Sequence, residues 1–127
     1  MTDANAEAIR TEARQYLSVA KGLYKRKKFN NQAITNIICL SAEQCMVSFL
    51  IENDALPNHH SLDFLIDQTK KVKPEVPDAL VADLHFMEEF QNLCVIESIG
   101  MKSATDHDVE RLLNALTELD SVLFPST

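Results

Sequence analysis

The sequence predicts an all-α protein, an up-and-down bundle of four or five helices. Three observations carry this expectation. Two glycines and four prolines in 127 residues are too few turn formers for a sandwich or barrel. Apolar residues recur at helical spacing along most of the chain. Short Asn-, Asp-, Pro- and Gly-bearing stretches separate these runs into five segments. The chain is 46% hydrophobic, long enough to close one core and too short for two, so residues 1–127 read as a single domain. With no Trp and 6% aromatic residues, that core is aliphatic.

The first helix is expected over Asp3 to Lys27, with Ile9, Ala13, Tyr16, Leu17, Ala20 and Tyr24 on its apolar side. Glu7 and Glu12 lie early and Lys25 to Lys28 late, which suits the helix dipole. Phe29-Asn30-Asn31 supplies a break and a cap. The second helix, Gln32 to Asn53, carries Ile34, Ile37, Ile38, Leu40, Met46, Phe49 and Leu50 around nearly its whole circumference. A helix apolar all round is buried all round. Four neighbours in so small a chain can hardly wrap it fully, so part of its surface, or a neighbour's, is expected to face a second copy.

A loop around Pro57 precedes a short third helix, Ser61 to Val72, with Leu62, Leu65, Ile66 and Thr69 on one face. Pro74 and Pro77 end it. Asp78 opens a fourth helix with the row Leu80, Leu84, Met87, Phe90 and Cys94. A break from Ser98 to Lys102 follows. Ser103 or Thr105 opens the fifth helix, whose row is Val109, Leu112, Leu113, Leu116, Leu119 and Leu123, and Pro125 stops it. Short connections make neighbours antiparallel, with the third helix elaborating one crossover.

The formal net charge is −7, a poor balance for a general nucleic-acid binder. It is uneven: residues 1–28 hold seven Lys/Arg against three Asp/Glu. A local basic patch therefore stays open. Cys39, Cys45 and Cys94 lie in apolar surroundings without Cys-x-x-Cys spacing, which reads as buried thiols in a reducing cytoplasm. The polar N-terminus carries no secretory pattern, and Asn36, Ser41, Glu43, Gln44 and Ser48 interrupt the one long apolar stretch, against a membrane location.

The histidines His59, His60, His85 and His107 include no Glu-x-x-His pair and no His-Glu-x-x-His, so no metal centre is expected. Gly22 and Gly100 cannot build a phosphate loop, and no cofactor is expected. Lys21, Lys25 and Lys28 share one helical stripe, with Arg14 further up. Such a stripe is either a solvated helix end or a phosphate-contacting strip. Glu43, inside the most apolar helix, needs a polar partner, for which Tyr16 or Lys21 of the first helix is available.

Several phrases, taken together over residues 5–124, resemble the HEPN superfamily of higher-eukaryote and prokaryote nucleotide-binding domains. They are EARQYLSVAKGLYKRKKFNNQAI, SAEQCMVSFLIENDALPNHHSLDFLI and LHFMEEFQNLCVIE. Ala42-Glu43-Gln44 followed by Pro57 and His60-Ser61-Leu62 is the most telling part. The resemblance implies a helical bundle that dimerises along its axis, with a groove between protomers that binds nucleotide or cleaves RNA. It also implies a small nucleotidyltransferase as partner, in a toxin–antitoxin-type pair. Nuclease members carry Arg, a polar residue such as Asn, and a His four to six residues after the Arg.

Here the matching stretch is Gln91 to Glu97. Asn92 fits the polar place, Gln91 stands where Arg belongs, and Ile96, Glu97 or Ser98 stands where His belongs. RNA self-cleavage needs a cation near the phosphate and a group titrating near neutrality. The expectation is therefore a non-catalytic, homodimeric module. Glu43, Asn92 and Glu97 are its candidate ligand-binding residues, and Lys21, Lys25 and Lys28 its candidate phosphate contacts. The alternative is an RNA endonuclease with a degenerate site, Glu97 or His85 serving as base and Lys25 or Lys28 as phosphate clamp.

Overall fold

The computed structural model describes residues 2–27, 29–59, 61–91 and 104–125, with the backbone alone for 2–4 and 91. Five helices make up the described chain: α1 Thr2–Arg26, α2 Asn31–Glu52, α3 Leu62–Val72, α4 Asp78–Gln91 and α5 Asp106–Leu123. No strand occurs among the described residues. Each of the five helices falls where the periodicity puts it, with the described ends shifted by a residue or so; the expected continuation of the fourth helix through Cys94 lies outside the described residues.

Local chemistry sets the ends. Asn30 caps α2, its side chain accepting from the Ala33 N–H at 2.8 Å, and Ser61 caps α3 in the same way. At α5, Thr105 and Asp108 form a reciprocal capping box. The C-terminus of α2 closes with a Schellman motif. Ala55 N–H donates to Leu50 O at 2.8 Å and Asp54 N–H to Ile51 O at 3.1 Å, with Asp54 in the left-handed region at φ 56°. The α3–α4 turn is held by Lys70, whose Nζ donates to Pro74 O at 2.8 Å and pairs with Asp78 at 3.1 Å.

α2 is the axis of the fold and packs against all four other helices. α5 touches both α1 and α4, and α4 touches α3, so the four surround α2 in the order α1, α5, α4, α3. Packing between α1 and α3 is marginal at most, so the ring is weakest there. Arg10 pairs with Glu52 and Gln44 donates to Glu12, so α1 and α2 are antiparallel. Tyr24 donates to Glu110 near the start of α5 and Arg14 to Asp120 near its end, so α5 is antiparallel to α1 and runs with α2. That is the sense of four long alternating helices with α3 placed in the α2–α4 crossover.

The core rows of α3, α4 and α5 are those the spacing predicts, as far as they are described, whereas Ile9, Tyr16, Leu17 and Tyr24 of α1 are only half-buried. Leu62, Leu65, Ile66 and Thr69 of α3, Leu80, Leu84, Met87 and Phe90 of α4, and the whole α5 row from Val109 to Leu123 are buried. On α1 the deepest residues are Ala6, Ala13 and Ala20, one heptad apart. The middle one meets α2 at Ser41, whose Oγ donates to Ala13 O at 2.6 Å and fixes the antiparallel register. Small side chains on both sides at this crossing let the two helices approach closely. By length and composition α2 could cross a membrane, but 67% of that window is buried against the other helices, as in a core helix.

Candidate functional site

The open sector of the ring lies between α1 and α3. There α2 turns outward the line Ala33, Ile37, Leu40 and Gln44, on the side away from α5. Leu40 is 38% exposed, Ile37 half-buried. α3 has 11 residues against 22 in α2 and cannot flank its full length. Beside this line runs the matching edge of α1: Glu12, Tyr16, Val19, Leu23 and Arg26. The Gln44–Glu12 hydrogen bond, 2.7 Å, ties the two edges together. Val19 is 47% exposed, and Phe29 in the α1–α2 turn is 50% exposed. The result is an apolar face with an acid, Glu12, at one end of α1's edge and a base, Arg26, at the other.

Lys21 and Lys25 project from the opposite flank of α1, in line with Arg14. They are exposed and form no ion pair among the described residues. The contrast with other cations is clear: Arg14 is held by Asp120 at 2.9 Å, Arg111 by Asp83 at 2.8 Å and Arg10 by Glu52 at 3.0 Å. Arg14, the upper member of the predicted stripe, therefore serves the α1–α5 junction.

The stripe ends in a polar network at the base of α5. Tyr24 OH donates to Glu110 Oε2 at 2.6 Å, Lys27 Nζ sits 4.1 Å from the Tyr24 ring centre, and Asn31 donates to Asp106 at 3.0 Å. The bond to Glu110 first, and desolvation next, raise the Tyr24 phenol above its ordinary value. The bond from Asn31 and the charge of Lys27 lower the Asp106 carboxyl.

Glu43 lies on the other side of the molecule from the lysines. Two residues beyond Ser41, it is turned about 200° from the α1-facing line of α2. It is half-buried there and has a partner in the fold, on a side of α2 that helix geometry turns away from α1. The fold thus keeps Glu43 apart from Lys21 and Lys25. Asn92, Glu97 and Lys28 lie outside the described residues, as do Cys94 and the Ser98–Lys102 break.

A cleft among α1, α2 and α5 is lined by Ala13, Leu17, Ser41, Cys45 and Leu116, with the Arg14–Asp120 pair at its lip. It is a surface crease with no room for even a water molecule, and so holds no small-molecule ligand as it stands. Burial pushes the Cys45 thiol well above its usual pKa, with Asp120 adding to the effect, so Cys45 is a neutral core group and no nucleophile.

One grouping was not anticipated. Asp63 of α3 meets His85 and Glu88 of α4, with Glu88 Oε1 2.6 Å and Asp63 Oδ1 3.6 Å from His85 Nδ1. A Glu-x-x-His pair has Glu three places before His; here Glu follows His by three, which puts both on one helix face just as well. No family model, curated protein or solved structure matches the chain.

Proposed function

We propose that the chain works by binding and not by catalysis, as a HEPN-like helical module that pairs with a second copy over the α1–α2 face. The observation that carries this reading is the exposed Val19–Leu40 edge, left where the helices around α2 fail to close. Its charge layout favours a second copy as the occupant. A two-fold axis through Val19 sets α1 antiparallel to its partner and brings Glu12 of each chain to the other's Arg26, seven residues from Val19 in either direction. An isologous contact needs this self-complementarity. Tyr16, Leu23, Ile37 and Leu40 supply the apolar centre and the charges its rim.

Lys21 and Lys25, uncompensated within the described fold, are the places for the phosphate of a nucleotide-like ligand in this reading. A nucleotidyltransferase is the protein partner that the resemblance implies. No described residue is assigned to it.

A charge exchange tests the pairing. Glu12→Arg and Arg26→Glu each set like charges against each other across the two-fold axis and weaken association, and the double variant restores it. Single and double variants with the association of the unaltered chain would end the proposal. Binding of a nucleoside diphosphate that falls with Lys21→Glu and Lys25→Glu supports the ligand class, and binding indifferent to both removes it.

A further inference from the structure

We infer that Asp63, His85 and Glu88 form a binding site for a divalent transition-metal ion of the zinc kind, joining α3 to α4. One ligand atom from each residue lies within 4.8 Å of the other two. Two carboxylates converge on one imidazole nitrogen, His85 Nδ1, at 2.6 and 3.6 Å. That nitrogen can carry a single proton and so can satisfy one of the two acceptors fully. Neither Asp63 nor Glu88 has a Lys or Arg partner among the described residues, whereas the nearby acids Asp67, Asp78 and Asp83 each have one. A divalent cation in place of the shared proton answers both carboxylates at once.

The dimensions fit. Zinc bonds of about 2.0–2.1 Å in a tetrahedron place neighbouring donor atoms about 3.3 Å apart. The Asp63–His85 separation of 3.6 Å is already close to that edge. The His85–Glu88 contact has to open by well under 1 Å, which a rotation of the half-exposed Glu88 side chain supplies. The donor set is one imidazole and two carboxylates. Imidazole selects against magnesium and calcium, and the absence of thiolate selects against copper(I) and iron–sulfur clusters. Three protein donors leave the fourth corner to water. The site stands apart from the α1–α2 face, and its test is independent of self-association.

Cobalt(II), a spectroscopic stand-in for zinc, is titrated into the full chain and read by visible absorption, with zinc competition to follow. The expected result is one equivalent bound with ligand-field bands, no thiolate charge-transfer band, and displacement by zinc. His85→Ala lowers the affinity by about tenfold or more, and Asp63→Asn and Glu88→Gln lower it in the same direction. His107→Ala leaves it unchanged. All four positions are exposed or half-exposed, and circular dichroism confirms the helical fold of each variant. No binding by the unaltered chain, thiolate bands, or equal binding by His85→Ala overturns the inference.

Discussion

The Ser41 hydroxyl donates a hydrogen bond to the carbonyl oxygen of Ala13 at 2.6 Å, deep between α1 and α2. The bond sits at the small-residue crossing and sets the register of the hairpin, and through it places Val19 and Leu40 on one exposed edge. Ser41→Ala keeps the close approach and loses one buried hydrogen bond, an expected cost of about 1 kcal/mol. Ser41→Leu pushes the helices apart and costs more, roughly 1–3 kcal/mol from overpacking. Urea unfolding of both variants checks the order. A leucine tolerated as well as alanine would mean the seam is loose.

Asp54 ends α2 with φ 56°, where an L side chain is strained and glycine is not. Its carboxylate has no ion pair among the described residues. Asp54→Gly is therefore expected to stabilise the fold by about 0.5–1 kcal/mol, read as a higher urea midpoint at unchanged slope. Lys27 has nearly the same backbone, φ 58°, but it also pairs with Asp106 and lies over the Tyr24 ring. Lys27→Gly gives up those contacts, so its gain is smaller or absent. A destabilised Asp54→Gly chain would contradict the reading of this cap.

The lowered Asp106 pKa gives stability a dependence on acid. A carboxyl depressed in the folded chain contributes fully above its ordinary value of 3.8, and the contribution is lost as pH falls through the folded value. Asn31 supplies the leading cause, ahead of Lys27. Asn31→Ala is expected to move the Asp106 pKa up toward 3.8, followed by carboxyl-carbon NMR, and to flatten the loss of stability below that pH. An unmoved Asp106 titration would show that the Asn31 bond does not form in solution.

One-sided helices were the most legible part of the sequence. In α5 the row from Val109 to Leu123 by itself fixes which face goes inward, because the opposite face is polar. α2 offers no such contrast. With apolar residues all round, nothing in its spacing separates exposed Leu40 from fully buried Ile38, and that choice depends on where neighbouring helices end. The same missing phase left the direction of Glu43 unread. Ala6, Ala13 and Ala20 went unread as a seam because alanine is a weak marker on a polar helix. Asp63 joins His85 only through the α3–α4 turn, a tertiary fact that local spacing does not contain. Asn92, Glu97 and Lys28 fall outside the described residues, so that part of the candidate site keeps only its sequence argument.

Sedimentation velocity over a rising concentration series tests the central claim most directly. The account predicts that the unaltered chain passes from one copy to two, and that Val19→Glu and Leu40→Glu, both surface changes, hold it at one copy with helicity intact. A chain that stays single at every concentration, or pairs equally well with both substitutions in place, would contradict it.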